Sequence, residues 1–197
     1  METNPTVQLS VKFHEAFKYA AEHHKDQARK STTLPYILHP MGVASLVLEA
    51  GGDEDQAIAA LLHDVPEDCG GEIRLTEIGE MFGARVEKIV RECSDSLVAD
   101  RADKAPWRQR KSTHINHIAS AEMDTLIVTA ADKTHNARAI ATDLQNIGDE
   151  VWSRFNANRE DILWYYDSFY NELAKRGLTP TLLNPLKTAL EIMKITY

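Results

Sequence analysis

The segment Ala59–Asp68, AALLHDVPED, passes from apolar residues to a histidine, three carboxylates and a proline. His63 and Glu67 are four positions apart, as are Asp64 and Asp68, so each pair shares one face of a helix. Burying carboxylates costs several kcal/mol each unless they are paired or bound to a cation. The motif therefore predicts that a positive charge, such as a metal ion, lies beside it.

Pro66 interrupts this motif, and a proline inside a helix costs about 3 kcal/mol and disfavours helical geometry at the preceding residue. We therefore expect a kink or a helix end near Asp64. In this hypothesis His63 and Asp64 point at a metal, and the bend redirects Glu67 and Asp68 toward a metal-bound water and the substrate. A straight helix through the motif would contradict it.

Two further segments offer ligands to the same ion. Asp132 and Asn136 lie one helical turn apart in a segment that otherwise looks buried, and His39 stands between two prolines in LPYILHP. With His63 and Asp64, the residues His39 and Asp132 would give two nitrogens and two carboxylates, which balance a divalent ion and leave octahedral positions open. Mn²⁺ suits this set, with Fe²⁺ or Zn²⁺ as alternatives.

Each of these residues alone has an ordinary structural interpretation. His39 is more often a structural histidine beside a helix start, His63 with Asp64 is as often a polar pair, and Asp132 can cap a helix or pair with Arg138. The order along the chain, with a histidine, then His-Asp, then an aspartate in a buried helix, favours a metal site.

Helical periodicity recurs between clear breaks and no strong strand pattern is present, so we predict an all-α bundle of about ten helices. The predicted helices cover 6–29, the stretch from 40 to the glycine pair at 51–52, a helix capped by Asp53, a short helix capped at Thr76, then 84–92, 106–119, 121–145, 159–176 and 181–195. A mobile charged loop is expected over 94–105. No repeat or composition shift divides the chain, so we expect one domain over 1–197.

Composition restricts the function class. The 197 residues are 43% hydrophobic and 26% charged, as in a soluble globular protein, and the net charge of −8 disfavours general nucleic-acid binding. Neither an apolar leader nor a membrane-spanning run is present, so a cytoplasmic protein is expected. Cys69 and Cys93 have no metal-ligand spacing and are expected to be reduced and structural.

The motifs resemble the hydrolase domain of the RelA/SpoT family in the HD phosphohydrolase superfamily, and especially its single-domain small alarmone hydrolases. The resemblance runs from about residue 14 to residue 176. It is carried by HKDQARK at 24–30, PYILHP at 35–40, AALLHDVPED at 59–68, FGARV at 82–86 and ADKTHN at 131–136.

The resemblance implies an all-helical, manganese-dependent enzyme that removes the 3′-pyrophosphate of (p)ppGpp, or of its adenosine analogue (p)ppApp. It makes His39, His63, Asp64 and Asp132 the metal ligands. Glu67 and Asp68 would orient or deprotonate the attacking water. The nucleotide would be bound by four residues, which are Arg29, Lys30, Asn136 and Tyr165, although Tyr165 can equally be a packing aromatic.

The chain departs from the family pattern at Asp26, at Cys69 and at Lys133-Thr134, where glycine, threonine and Arg-Leu are usual. Because Asp26 is close in sequence to the residues expected to meet the purine, the base preference stays open. The synthetase and regulatory regions of the long family members have no room in this chain, so we expect it to degrade the alarmone and not to make it.

Two other segments have alternative interpretations. Five cations between Arg101 and Lys111 are more consistent with a solvated face than with steering of a polyphosphate. An apolar stretch at 152–170 could form a homo-oligomer interface, but such spacing more often belongs to the core.

Two other functions remain open. The chain could be an HD nucleotidase or phosphodiesterase that acts on another phosphate ester. It could also be an alarmone-binding module without activity, although a binding module has no need for Glu67, Asp68 and Asn136.

Overall fold

The structure is a computed structural model that describes residues 7–94, 97 and 105–195. No strand occurs among these residues, so the all-α prediction is confirmed. The α-helices are α1 (Val11–His23), α2 (Leu38–Glu49), α3 (Glu54–Leu62), α4 (Val65–Cys69), α5 (Glu72–Phe82), α6 (Ala84–Cys93), α7 (Trp107–Ile118), α8 (Met123–Ile147), α9 (Arg159–Lys175) and α10 (Pro180–Met193). A 3₁₀ helix, Gly148–Arg154, joins α8 to α9.

Helix α8 is the central element of the bundle. It packs against α2, α3, α6 and α10, and its N-terminal half is buried nearly all round from Thr125 to Asp132. An apolar helix surrounded by other helices has to be buried on every side, as the sequence predicts for this segment. Asp132 is therefore a carboxylate inside the core, 6% exposed.

The helix end predicted at Pro66 is present. Asp53 caps α3 through a capping box with Gln56, and α3 ends at Leu62. Helix α4 then starts at Val65 with Pro66 in its first turn, where proline is tolerated because the missing N–H has no helical partner. The break leaves His63 and Asp64 between two helices, as the hypothesis requires.

The first helix is shorter than predicted. It ends at His23 and not at Arg29, because residues 27–36 form a hairpin-like turn with an isolated antiparallel bridge between Ala28 and Pro35. Arg29 donates its backbone N–H to the Leu34 carbonyl at 2.8 Å. These hydrogen bonds replace helical ones and direct the following segment toward α2.

The predicted cap at Thr76 is wrong. Gly70 and Gly71 both have positive φ, which a side chain would disfavour, and they turn the chain so that α5 begins at Glu72. Thr76 therefore lies inside α5, where its hydroxyl donates to the Glu72 carbonyl at 3.0 Å.

The remaining expectations concern the 94–105 loop, the two cysteines, the 152–170 stretch and membrane spans. The loop predicted at 94–105 lies mostly outside the described residues. Cys69 and Cys93 are free and partly buried, and burial raises the pKa of both thiols to about 11. In the 152–170 stretch, Ile162, Tyr165 and Phe169 pack into the core. No helix in the described part of the chain is long and apolar enough to cross a membrane.

Candidate active site

Four side chains from α2, the α3–α4 junction and α8 converge in the core. The Nε2 atom of His39 lies 3.3 Å from Asp64 Oδ2 and 3.1 Å from Asp132 Oδ1. The Nε2 atom of His63 lies 3.2 Å from the same Asp64 oxygen and 3.7 Å from Asp132 Oδ1. One ligand atom each from His39, His63 and Asp64 falls within 4.8 Å of the others, which is close enough to hold one metal ion.

The protonation of His63 shows why a cation fits this cluster. Its Nδ1 lies 2.8 Å from the carbonyl oxygen of Ala60, which can only accept a hydrogen bond, so the Nδ1 proton is used there. The Nε2 atom is buried and makes no hydrogen bond to the described residues. In a neutral ring its lone pair would face the Asp64 carboxylate. A proton or a metal ion removes that repulsion, and a histidine held through its other nitrogen is the usual arrangement at metal sites.

The carboxylates keep their charge in spite of burial. Burial alone would raise the pKa of Asp132, but Lys133, whose Nζ lies 2.5 Å from Oδ2, and the two imidazoles hold it well below its usual range. Asp64 is similar, because burial is outweighed by His63 and His39 and its pKa is lowered. Burial would lower the pKa of His63, yet Asp64 and Asp132 raise it well above the ordinary value. Both carboxylates therefore stay ionised beside the two histidines.

A small cavity of about 190 Å³ opens beside these residues. Its walls include Glu67 and Asp68 from the first turns of α4, together with His63, Asp64 and Asp132. Helix α7 contributes Lys111 and His114 to the lining of this cavity. The bend at Pro66 thus brings both predicted catalytic carboxylates, Glu67 and Asp68, to the cavity that His63, Asp64 and Asp132 line.

A larger cavity of about 860 Å³ adjoins the small one. This volume is typical of small-molecule sites, which range over about 300–1,000 Å³. Its wall contains all four side chains predicted to bind nucleotide, namely Arg29, Lys30, Asn136 and Tyr165. Both cavities are lined by Tyr36, Lys111, Lys133 and Asn136, so these four residues form a wall that the two cavities share.

The large cavity is cationic within an acidic protein. Six of its lining side chains are lysine or arginine, and two are acidic: Arg29, Lys30, Lys111, Lys133, Arg138 and Arg154 against Glu49 and Asp143. The chain as a whole has a net charge of −8. A concave surface lined by one sign of charge concentrates ions of the opposite sign, so this cavity favours an anionic ligand.

A chain of hydrogen bonds joins the two cavities. Arg29 Nη2 donates to Asn136 Oδ1 at 2.8 Å, and Asn136 Nδ2 donates to Asp132 Oδ1 at 2.6 Å. Tyr36 also donates its hydroxyl to Asp64 Oδ2 at 2.7 Å. Burial, followed by the Asp64 carboxylate, raises the pKa of the Tyr36 phenol, which therefore stays a donor. Hydrogen-bond donors therefore orient both carboxylates, with Tyr36 donating to Asp64 and Asn136 donating to Asp132.

Tyr165 is both a packing residue and a cavity residue. It is 4% exposed, its hydroxyl lies 3.2 Å from His114 Nδ1, and its ring makes an edge contact with Trp107. Lys111 Nζ lies 5.0 Å from the ring centroid. The Tyr165 hydroxyl therefore lies between α7 and α9, next to the junction of the two cavities.

The cations predicted at 101–111 divide between two environments. Arg101 and Lys104 lie outside the described residues. Arg108 pairs with Asp161 and stacks on Trp164, with its guanidinium carbon 3.6 Å from the ring centroid. Lys111 lines both cavities instead. The solvated-face interpretation therefore does not apply to Lys111.

Comparison with known proteins agrees with this arrangement. A family model described as HD domain matches residues 16–163. The chain belongs to the HD domain family. Guanosine-3′,5′-bis(diphosphate) 3′-pyrophosphohydrolase MESH1 of Xenopus tropicalis is 39% identical over 142 residues, which are 71% of this chain and 73% of that protein. The human protein of the same name is 36% identical over the same shares.

A solved structure supports the same HD domain relationship. A metazoan ortholog of SpoT, described as hydrolyzing ppGpp and playing a role in starvation responses, has a TM-score of 0.72 and 29% sequence identity to this chain. The match covers 96% of this chain and 97% of that one. The resemblance inferred from the motifs is therefore confirmed over nearly the whole fold.

The sequence did not single out several residues of this HD domain site. Tyr36, Lys133 and His135 stand inside the recognised motifs, but only the fold shows that Tyr36 contacts Asp64, that Lys133 pairs with Asp132 and that His135 contacts His39. His114 belongs to a segment without a motif, and its spacing of three from Lys111 was the only available signal. In contrast, Asp26 is exposed and does not line either cavity.

Proposed function

We propose that this protein is a metal-dependent hydrolase that removes the 3′-pyrophosphate from (p)ppGpp or its adenosine analogue (p)ppApp, releasing pyrophosphate and the nucleoside di- or triphosphate. The observation that carries the proposal is the pair of adjoining cavities, one cationic and large enough for a nucleotide, the other lined by His63, Asp64 and Asp132. The names of the relatives support it.

In this proposal His39, His63, Asp64 and Asp132 hold one divalent ion, and we infer Mn²⁺, with Fe²⁺ or Zn²⁺ as alternatives. The ion would supply Lewis-acid polarisation of the phosphoryl group and acidify water. The unsatisfied nitrogen of His63 and the ionised carboxylates support this fit.

The remaining chemistry belongs to side chains of this chain. Glu67 and Asp68 orient the attacking water and accept its proton as the oxygen approaches the 3′ phosphorus. The bond from that phosphorus to the ribose 3′ oxygen breaks, the ribose oxygen takes a proton, and pyrophosphate forms. Lys111 and Lys133, which line both cavities, stabilise the negative charge on the phosphoryl oxygens.

Four residues would hold the nucleotide. Arg29 stacks on the base or pairs with phosphate, Lys30 pairs with phosphate, Asn136 binds the ribose side, and Tyr165 closes the pocket at the junction. All four line the larger cavity. A single domain over 1–197 and a cytoplasmic location stay predictions.

The test is to incubate the pure, manganese-loaded protein separately with ppGpp and with ppApp and to follow pyrophosphate release. Turnover of either supports the proposal and identifies the base. An Asp64→Ala variant should lose both the metal and the activity. Binding without turnover by the wild type would instead indicate a sensing module, and no release with the metal bound would indicate another phosphate ester.

A further inference from the structure

The ring of His135 is in direct contact with the ring of His39. The two Nδ1 atoms lie 2.9 Å apart, and the ring centroids are separated by 4.9 Å. His39 is 1% exposed and its Nε2 faces Asp64 and Asp132. The nitrogen that does not face the carboxylates is therefore the one in contact with His135.

Gly42 supports His135 from the other side. A Cβ atom placed on Gly42 would lie 2.3 Å from both Cδ2 and Nε2 of His135, closer than real Cβ atoms approach other groups. Gly42 is inside α2, where glycine is less favourable than alanine by about 0.5–1 kcal/mol. The close approach of the imidazole gives a physical reason for glycine at this position.

The same face of α8 provides both Asp132 and His135, which are three positions apart. Asp132 lies beside Nε2 of His39, while His135 contacts Nδ1 of the same ring on α2. The imidazole of His135 thus lies between α8 and the part of α2 that carries His39 and Gly42.

We propose that His135 is a positioning residue that fixes the orientation and the tautomer of His39 for metal binding. When His39 presents the Nε2 lone pair to a cation, its proton lies on Nδ1, and His135 Nδ1 accepts that hydrogen bond. Oriented donors and acceptors of this kind behind ligating histidines contribute about 10–100-fold to metal affinity. The inference rests on the metal site in the proposed function.

The experiment titrates Mn²⁺ alone into metal-free protein by calorimetry, without nucleotide. His135→Phe keeps a ring of similar size but has no nitrogen, and we expect it to bind Mn²⁺ about 10–100-fold more weakly. His135→Asn restores an acceptor and should recover part of the loss. Gly42→Ala should weaken binding as well, because the new methyl group displaces the imidazole. His14→Phe, at an exposed histidine of α1, is the matched control and should bind as the wild type does.

Melting temperatures of the metal-free variants separate positioning from folding. Positioning predicts similar melting temperatures without metal, and a smaller rise on Mn²⁺ addition for His135→Phe and Gly42→Ala. Wild-type affinity in both variants would overturn the inference, as would a His135→Asn variant no better than His135→Phe. If the wild type itself bound no Mn²⁺, the proposed metal site would fail and the role of His135 with it, whereas Mn²⁺ binding by the wild type without a loss in the variants would overturn the role of His135 alone.

Discussion

The guanidinium of Arg29 donates to the side-chain oxygen of Asn136 across 2.8 Å, joining residues 107 positions apart in the chain. The contact fixes the orientation of the Asn136 amide, whose nitrogen then faces Asp132. Arg29 of the larger cavity and the carboxylate of Asp132, a predicted metal ligand, are thereby connected through one amide. Changes to that amide should affect both cavities.

Asn136→Asp tests this connection with almost no change in volume. The variant can still accept from Arg29, but it loses the donor to Asp132 and places two carboxylates together. A hydrogen bond to a charged group contributes about 1.5–3 kcal/mol, so we expect kcat/KM for the alarmone to fall about tenfold or more. Asn116→Asp, at an exposed position of α7, should leave kcat/KM unchanged. Equal kcat/KM values for the two variants would show that the hydrogen bond from Asn136 to Asp132 does not contribute to catalysis.

Glu67→Gln and Asp68→Asn test the role of the carboxylates on α4. Both remove a proton acceptor and keep the shape, and general base catalysis contributes about 10²–10⁴-fold. We expect kcat to fall within this range for at least one variant while Mn²⁺ affinity by calorimetry is kept. The control is Glu80→Gln on the exposed face of α5. A loss of metal together with activity would instead place the residue in the ligand set.

The metal-free protein should lose stability as the pH rises. Because the folded-state pKa of His63 is raised, its proton contributes stability that is complete below the unfolded pKa of about 6.5 and is lost through the higher folded pKa. Asp64 and Asp132 have lowered pKa values, so their contribution is lost only in acid. In the proposed function Mn²⁺ takes the place of this proton, so adding Mn²⁺ should reduce the loss at high pH.

Melting temperatures from about pH 6 to about pH 10, with chelator or with Mn²⁺, measure this effect. The two curves should diverge as the pH increases. Parallel curves would show that protonation of His63 does not substitute for the ion.

Arg176 should contribute strongly to stability at a site remote from both cavities. Its guanidinium donates to the carbonyls of Ile118, Ala119 and Ala121 at 2.8–2.9 Å, which satisfies the end of α7. We expect Arg176→Ala to lower the free energy of unfolding by about 1.5–3 kcal/mol in urea denaturation. Lys175→Ala removes an exposed charge next to it and should change the stability by less than about 0.5 kcal/mol. A similar loss of unfolding free energy in both variants would show that Arg176 does not specifically stabilise the end of α7.

The sequence predicted the parts of the site that depend on local chemistry. Pro66 predicted the break beside Asp64, since proline is tolerated in the first turn of a helix but disrupts a helix interior. The end of α1 was missed, because the bridge between Ala28 and Pro35 is a backbone pairing that side-chain periodicity does not encode. The contact of His39 with His135 spans 96 positions, so it depends on how α2 and α8 pack and not on either motif alone.

The junction of the two cavities, lined by Tyr36, Lys111, Lys133 and Asn136, has a consequence for product release. In the proposed function an intact alarmone occupies both cavities, so each half raises the effective concentration of the other at its own subsite. Cleavage at the junction separates them into two independent ligands. Each product then binds through one cavity only, and the loss of the second set of contacts lowers its affinity.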